Sequence, residues 1–305
     1  MLETHLEELK KSIKGDLYYD DLLKSVYATD ASVYRILPLA VACPKDNQDI
    51  KLLIRFAKKH KTSLIPRTAG TSLAGQCVGE GIVVDVSKYF TKIIEVNEIE
   101  QTVTVEPGVV RDELNNHLKP LGLFFGPNTS TSNRCMIGGM VGNNSSGTTS
   151  IKYGVTRDKV LELHTILSDE SEVVFNELNS DLFFEKLQQE TLEGNIYKTI
   201  YSQLSSESVI KNIVDNYPKP EIHRRNTGYA LDALLDSEVF SETTEQINLC
   251  KLLCGSEGTL AFTTEITLQL DELPPNNAVM VASHYKSIDD CLNDVENTMN
   301  HNLYT

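Results

Sequence analysis

Two stretches of this sequence gather small residues, hydroxyls and amides at spacings suited to holding a phosphate and a flat, polar-edged ring. The first, RTAGTSLAGQCVGEG, runs from Arg67 to Gly81. Gly70 and Gly75 are spaced like P-loop glycines, but Gln76 stands where that motif requires Lys, and a strand follows where a helix N-terminus would face the phosphates. Nucleotide hydrolysis is therefore disfavoured. A loop cradle remains, in which the N–H groups from Arg67 to Ser72 and the hydroxyls of Thr71 and Ser72 surround a pyrophosphate. Each charge-assisted bond there would contribute roughly 1.5 to 3 kcal/mol. A tight surface turn accounts for the same residues equally well.

The second stretch, GPNTSTSNRCMIGGMVGNNSSG, runs from Gly126 to Gly147. Gly138, Gly139, Gly142 and Gly147 leave room where side chains would block a flat ligand, and hydroxyls and amides lie between them. Loops of this length in compact domains are usually functional or disordered, and Ile137, Met140 and Val141 argue for order. No Gly-x-Gly-x-x-Gly follows a strand, which counts against a Rossmann site and leaves other dinucleotide folds open.

These loops need a scaffold, and the pattern supplies one. After an amphipathic N-terminal helical region, LPLAVACP reads as a strand, and Asp46 or Asn47 can cap a helix through Lys59 with Ile50, Leu53, Ile54 and Ala57 on one face. Ser63 to Pro66 and IVVDVS then flank the first glycine loop as strands. Lys92 to Val96 and Thr102 to Pro107 read as strands, Val110 to Leu118 as a helix, and Val160 to Leu167 with Glu172 to Phe175 as a hairpin. Helices are expected over much of Leu182 to Asn216, before Pro218 and Pro220 break the pattern. A last strand pair is expected around Gly255 to Gly258. After Pro274 and Pro275, a strand (Ala278 to Ser283) and a helix (Ile288 to Met299) begin a new unit. The alternation predicts an α+β or mixed α/β fold.

The chain has 305 residues, enough for two lobes. With 28 Lys and Arg against 43 Asp and Glu its net charge is −15, which disfavours sequence-independent contact with nucleic acid or anionic lipid. An anionic ligand must be held locally. Cys43, Cys77, Cys135, Cys250, Cys254 and Cys291 form no Cys-x-x-Cys pair and read as reduced, buried thiols of a cytoplasmic protein. Cys250 and Cys254 can share a helix face, but no further Cys or His stands at metal-ligand spacing, so no metal is expected. The N-terminus does not read as a signal peptide, and no apolar run reaches membrane-spanning length.

Taken in order, PRTAGTSLAGQ, MIGGMVGNNSSG, KYGVTRDKVLEL and GSEGTLAFTTEITL resemble the motifs of the FAD-linked oxidases of the vanillyl-alcohol oxidase and p-cresol methylhydroxylase (PCMH) type, over nearly the whole chain. RRNTGYALDALL and STSNR resemble the D-lactate and D-2-hydroxyglutarate dehydrogenase branch, particularly its long bacterial members that carry an iron–sulfur region.

The resemblance implies a two-subdomain, PCMH-type FAD-binding fold. Residues 1–35 would be an N-terminal helical region and 36–272 the FAD-binding domain, with subdomains of about 36–92 and 93–272. Residues 273–305 would begin an α+β cap domain, the chain being a fragment. By motif, Arg67, Thr68, Ala69, Gly70, Thr71 and Ser72, with Gly75 and Gln76, would hold the pyrophosphate. Asn128, Thr129, Ser130 and Thr131, then Gly138, Gly139, Gly142, Asn143, Ser145 and Gly147, would line the flavin, followed by Tyr153 and Gly154. Glu257, Gly258 and Ile266 would complete the pocket, backbone near Ile266 reading the adenine end.

Thr68 and Ala69 replace the family's usual glycines, and a left-handed conformation at either would cost roughly 1 to 2 kcal/mol, which makes Gly70 the expected left-handed position. Members that attach flavin covalently use His where Thr71 stands, so the resemblance implies non-covalent FAD. It also confines any iron–sulfur cluster to sequence outside this chain. The implied activity is oxidation of a D-2-hydroxy acid, of the D-lactate or D-2-hydroxyglutarate class, by hydride transfer to flavin. The alternative is a flavin-binding module that is inactive as it stands. The implied partner is a small-molecule 2-hydroxy acid, with no electron acceptor assigned and no nucleic acid. The implied location is cytoplasmic, with peripheral attachment to the inner membrane face left open. No catalytic residue is assigned. Asn226 and Tyr229 are further candidates near the flavin, packing at a helix start being the other reading of Tyr229, and Arg224 and Arg225 read as solvated.

Overall fold

The computed structural model describes residues 2–305 apart from His223, Thr227 and Asn302, with Leu2 described by its backbone alone. The chain opens with α1 (Leu2–Ser12), β1 (Asp16–Tyr18) and α2 (Asp21–Val26). Then come β2 (Ala40–Cys43), α3 (Asn47–His60), β3 (Leu64–Arg67) and β4 (Ile82–Asp85). These strands form one sheet in the order β1-β2-β4-β3, in which β2, β4 and β3 run parallel and β1 is antiparallel. The N-terminal region expected to be helical therefore also donates a strand, because Asp16 to Tyr18 cover the free edge of β2. Asp46 caps α3 by accepting from the N–H groups of Gln48 and Asp49, and Ile50, Leu53, Ile54 and Ala57 are buried on its face. Every residue of β2 and β4 is buried except for no more than a few per cent, as expected for strands covered on both faces. The first glycine loop leaves the carboxyl end of β3, where α/β sheets commonly place ligands.

The second sheet is antiparallel. Its members include β5 (Ile93–Asn97) and β6 (Thr102–Val105), after which come α4 (Arg111–Leu118), β7 (Leu123–Phe124), α5 (Ile137–Asn143) and α6 (Ser150–Tyr153). The hairpin of β8 (Val160–Ile166) and β9 (Glu172–Phe175) matches the expected one and is followed by β10 (Glu177–Leu178). Helices α7 (Ser180–Lys186), α8 (Leu192–Leu204), α9 (Glu207–Asn216) and α10 (Asp232–Leu235) lead to β11 (Ile247–Asn248), α11 (Cys250–Leu253) and β12 (Phe262–Gln269). The sheet order is β5-β6-β12-β8-β9. Residues Asp271–Glu272 form β13, which pairs with β7.

Each sheet has its own core, and Ile166 and Phe262 of the second sheet pack into the core of the first. Two sequence expectations fail. Gly255 to Gly258 lie between a short helix and a strand, not between two strands, because Cys250 and Leu253 turn inward from α11. Ala278 to Ser283 form no strand. Val279, Met280 and Val281 are 89%, 94% and 80% exposed, and without a neighbouring strand their backbone has no ladder to join. The helix expected after them divides at Asp294 into α12 (Ile288–Asn293) and α13 (Val295–Met299).

Candidate active site

A cleft of about 1180 Å³ opens where the two sheets meet. One wall is the loop that leaves β3. Gly70 has φ +65° and Gly75 φ +77°, whereas Thr68 and Ala69 stay out of the left-handed region, so the expected strained position is the glycine. Among the described residues, none of the N–H groups from Thr68 to Leu73 donates to a protein acceptor. A run of unpaired backbone donors facing a cleft is a ready anion cradle, because such groups need partners.

The opposite wall is α5 with the segment before it. Residues 128–131 precede tight turns closed by Arg134 and Cys135 N–H donation to the Thr131 carbonyl at 2.8 and 2.7 Å. Gly138 sits against Pro107, where a Cβ would lie 2.4 Å from the ring, and Gly139 faces the first loop, where a Cβ would lie 2.5 Å from the Thr68 hydroxyl. Both glycines let neighbouring segments approach. Gly142 differs, since a Cβ there would meet nothing nearer than Glu257 Cα at 3.7 Å. It borders open cleft.

Asn144 ends α5 in the left-handed region at φ 52° and is fully buried. Its side-chain oxygen accepts from Arg157 N–H at 2.8 Å, and its amide donates to the Arg225 carbonyl at 3.4 Å. The Arg157 guanidinium, its acidity increased by burial, donates to the carbonyls of Lys251 and Cys254 at 2.9 and 2.7 Å. The turn after α11 is then laced to α5 by Gly255 N–H to Val141 O at 3.0 Å and Glu257 N–H to Gly142 O at 2.9 Å. Those bonds carry Ser256, Glu257 and Gly258 into the cleft. Glu257 is itself left-handed, at φ 53°. Burial pushes its carboxyl above the usual carboxylate range, and hydrogen bonds from Asn143 and Gln76 partly offset that.

The cleft brings together all the sequence-predicted site residues except Gly75, Tyr153, Gly154 and Ile266. Gly75 lies against the Tyr34 ring. Tyr153 packs edge-on against Phe124 at 4.9 Å, and burial pushes its phenol up to about 12. Gly154, with φ +71°, turns the chain into the Val155 to Lys159 segment that braces Ser145 and Asn144. Ile266 is wholly buried, and its backbone pairs with both β6 and β8. Of this strand the cleft is lined by Phe262 and Thr263, with Ala261 just before it.

Of the further candidates, Asn226 lines the cleft, while Tyr229 does not and exchanges a 2.7 Å bond with the Thr259 hydroxyl; Arg224, expected to be solvated, also lines the cleft. Sequence reasoning missed Thr29, Asp30 and Ala31, as well as Arg134 and Cys135. The only signal for the first three was a polar break before the LPLAVACP strand.

The volume, the unpaired donors and the side-chain-free face at Gly142 fit a large ligand that has both a pyrophosphate and a flat ring. Residues 38–176 match the FAD binding domain family. Residues 38–176 thus carry an FAD-binding domain with FAD as its cofactor, and the fold is of the PCMH type. Over most of its length the sequence is similar to D-2-hydroxyglutarate dehydrogenases. It is 38% identical over 291 residues to D-2-hydroxyglutarate dehydrogenase of Escherichia coli, a match covering 94% of this chain and 28% of that protein. The Haemophilus influenzae enzyme of the same name is 35% identical, with 94% and 28% covered. Glycolate oxidase subunit GlcD of Bacillus subtilis is 33% identical over 55% of this chain and 37% of its own length.

Among solved structures, an alkyldihydroxyacetonephosphate synthase superposes with a TM-score of 0.59 at 18% identity, over 89% of this chain and 41% of that one. Physcomitrella patens BBE-like 1 superposes with a TM-score of 0.56 at 14% identity, over 88% and 44%. These two show the fold. The chain spans 28% of the length of the D-2-hydroxyglutarate dehydrogenases it matches.

Proposed function

We propose that this chain is the FAD-binding portion of a dehydrogenase that oxidises a D-2-hydroxy acid of the D-2-hydroxyglutarate class by hydride transfer to flavin. The carrying observation is the cleft, which gathers the two glycine-rich loops and the Ser256 to Gly258 turn on one surface in a chain so similar to those enzymes. Bound FAD supplies the hydride acceptor.

Residues Thr68 to Ser72 offer N–H groups and hydroxyls to the pyrophosphate. Asn128 to Thr131 and the face of α5 from Gly138 to Gly142 receive the ring, with Asn143, Ser145 and Gly147 at its polar edge. Arg134 and Arg224 are the cleft cations best placed to meet a carboxylate, because the Arg67 guanidinium is already engaged with Thr29. Residues 36–272 form the FAD-binding unit, divided near residue 92 where the first sheet gives way to the second, and 273–305 begin the next domain. The location proposed is the cytoplasm, in keeping with free buried thiols and with no helix among the described residues being long and apolar enough to cross a membrane.

A second reading, a flavin-binding module inactive as it stands, is favoured by one observation. Among the described residues, no His and no Lys lines the cleft to take the hydroxyl proton. The two readings share the first experiment, a visible spectrum of the purified chain, with FAD added if it is colourless, before and after denaturation. Flavin bands released by denaturation are expected, and a folded chain that takes up no FAD would overturn both. Reduction of the bound flavin by D-2-hydroxyglutarate then selects the dehydrogenase, and an unreduced flavin selects the module.

A further inference from the structure

Residues 26–36 wrap the first glycine loop from outside. The Ala31 N–H donates to the Gly70 carbonyl at 3.2 Å. Arg67 turns back from the loop, donating from Nη1 to the Thr29 carbonyl at 2.8 Å, and its guanidinium carbon lies 5.2 Å from the centre of the Tyr27 ring. That ring is fixed in turn, because its hydroxyl donates to Asp85 Oδ2 at 2.6 Å while Asp85 Oδ1 accepts from Ser87 N–H at 2.7 Å. The Arg67 guanidinium also stands over Gly70, where a Cβ would lie 2.5 Å from Nη2. At the far end of the loop, Tyr34 packs beside Gly75, where a Cβ would lie 2.8 Å from the ring.

The strap thus touches the loop at both of its left-handed glycines, the points where the chain is otherwise freest to change direction. Around and beyond the first of them run the unpaired N–H groups of Thr68 to Leu73, which can converge on an anion only if the loop keeps its curve. An Arg at the head of such a loop invites the reading of a phosphate counter-charge. Here its stacking on Tyr27 and its bond to Thr29 draw it toward the strap instead. Tyr27, Thr29, Ala31 and Tyr34 all precede the segment, residues 38–176, that matches the FAD binding domain.

We propose that Tyr27 and Arg67 are positioning residues for FAD: the stacked ring and guanidinium, anchored by Asp85 and Thr29, hold the Thr68 to Leu73 loop in its pyrophosphate-binding curve. The FAD-holding unit then begins upstream of residue 38. This rests on the reading of the cleft as the FAD site.

The test is the FAD dissociation constant of the whole chain, followed by quenching of flavin fluorescence, for wild type, Tyr27→Phe, Arg67→Lys, Arg67→Met and the Tyr27→Phe, Arg67→Met double variant. Far-UV circular dichroism and Tm monitor folding. Each single variant should weaken FAD by about tenfold, the order expected for losing one hydrogen bond to a charged group. The double variant should be weakened by much less than the product of the singles, since both changes release the same strap.

Arg67→Lys separates the roles. A Lys keeps the charge but cannot reproduce the guanidinium's contact with the ring together with the directed bond, so it should remain weak. If Arg67 acts as a phosphate counter-charge, Arg67→Lys regains wild-type affinity and Tyr27→Phe is silent, and either result overturns the proposal. Should Arg67→Met fail to fold, Tyr27→Phe and Arg67→Lys still decide the matter. A folded wild-type chain that binds no FAD would overturn the site reading itself, a result distinct from a wild type that binds and variants that do not differ from it.

Discussion

The Glu257 carboxylate accepts a hydrogen bond from the Asn143 side-chain amide at 3.0 Å. The same oxygen is reached by the Gln76 amide at 3.4 Å, so one acid joins the end of the first glycine loop, the end of α5 and the turn before β12. Burial raises its native pKa above the ordinary value. The native state therefore holds this proton more tightly than the unfolded chain, and the stability contributed below the unfolded value is lost as pH rises through the native one. Glu257→Gln keeps an oxygen to accept both amides and removes the ionisation. The Tm of the variant relative to wild type should rise between about pH 4 and pH 7. A difference that falls over that range would mean that the ionised carboxylate's hydrogen bonds outweigh its burial.

Gly142 separates space needed by the protein from space needed by the ligand. In the protein alone a Cβ at this position makes only ordinary contact with Glu257, and the residue lies within a helix where Ala is preferred to Gly by about 1 kcal/mol. Gly142→Ala should thus leave the apo chain as stable as wild type or more so in urea unfolding. Its affinity for FAD should fall by at least about tenfold, because the added methyl projects into the cleft where the ring is proposed to lie. Undiminished affinity would move the ring away from α5.

Asn144 is the hub that holds the walls together, and two substitutions divide its contribution. Asn144→Gly retains the left-handed backbone and loses the bonds to Arg157 N–H and the Arg225 carbonyl. Asn144→Ala loses both and adds backbone strain, so it should be the less stable of the two by about 1 kcal/mol. Relative to wild type, Asn144→Ala should cost about 2 to 4 kcal/mol in denaturant unfolding, since it also strands a buried N–H. Equal stabilities for Gly and Ala would place the whole effect in the side-chain bonds.

The part of this site that was legible in the sequence is the part fixed by short-range chemistry. Gly70, with Thr68 and Ala69 beside it, was the expected left-handed position, Asp46 was one of the two candidate caps of α3, and of the α5 glycines read as room for a flat ligand Gly142 borders open cleft while Gly138 and Gly139 admit Pro107 and Thr68. What escaped was long-range. Nothing near Tyr27 in sequence indicates that its hydroxyl meets Asp85 or that its ring lies against Arg67. Ile266 sits in the motif that ends the resemblance, but strand alternation turns its side chain into the core and pairing on both sides occupies its backbone. Ala278 to Ser283 have strand propensity without a partner, and propensity alone does not make a strand.

The thiols give a test of the packing that needs no cofactor. Cys43, Cys77, Cys135, Cys250 and Cys254 are buried and free, and Cys291 is exposed. Burial pushes the Cys43 thiol up to about 11 and the Cys254 thiol up to about 12, and raises Cys77 and Cys250 as well. The thiolate is the reactive species, so at neutral pH each of these is slowed both by access and by protonation. An aromatic disulfide reagent should find one prompt thiol in the native chain and six in denaturant, and Cys291→Ser should abolish the prompt one. Cys77 and Cys135 border the cleft, so they should be the next to react, and added FAD should slow them without affecting Cys291. Prompt reaction of Cys43, Cys250 or Cys254 in the native chain would show that the core around β2 or α11 is open in solution. Protection of Cys250 by FAD in place of Cys77 and Cys135 would place the cofactor elsewhere.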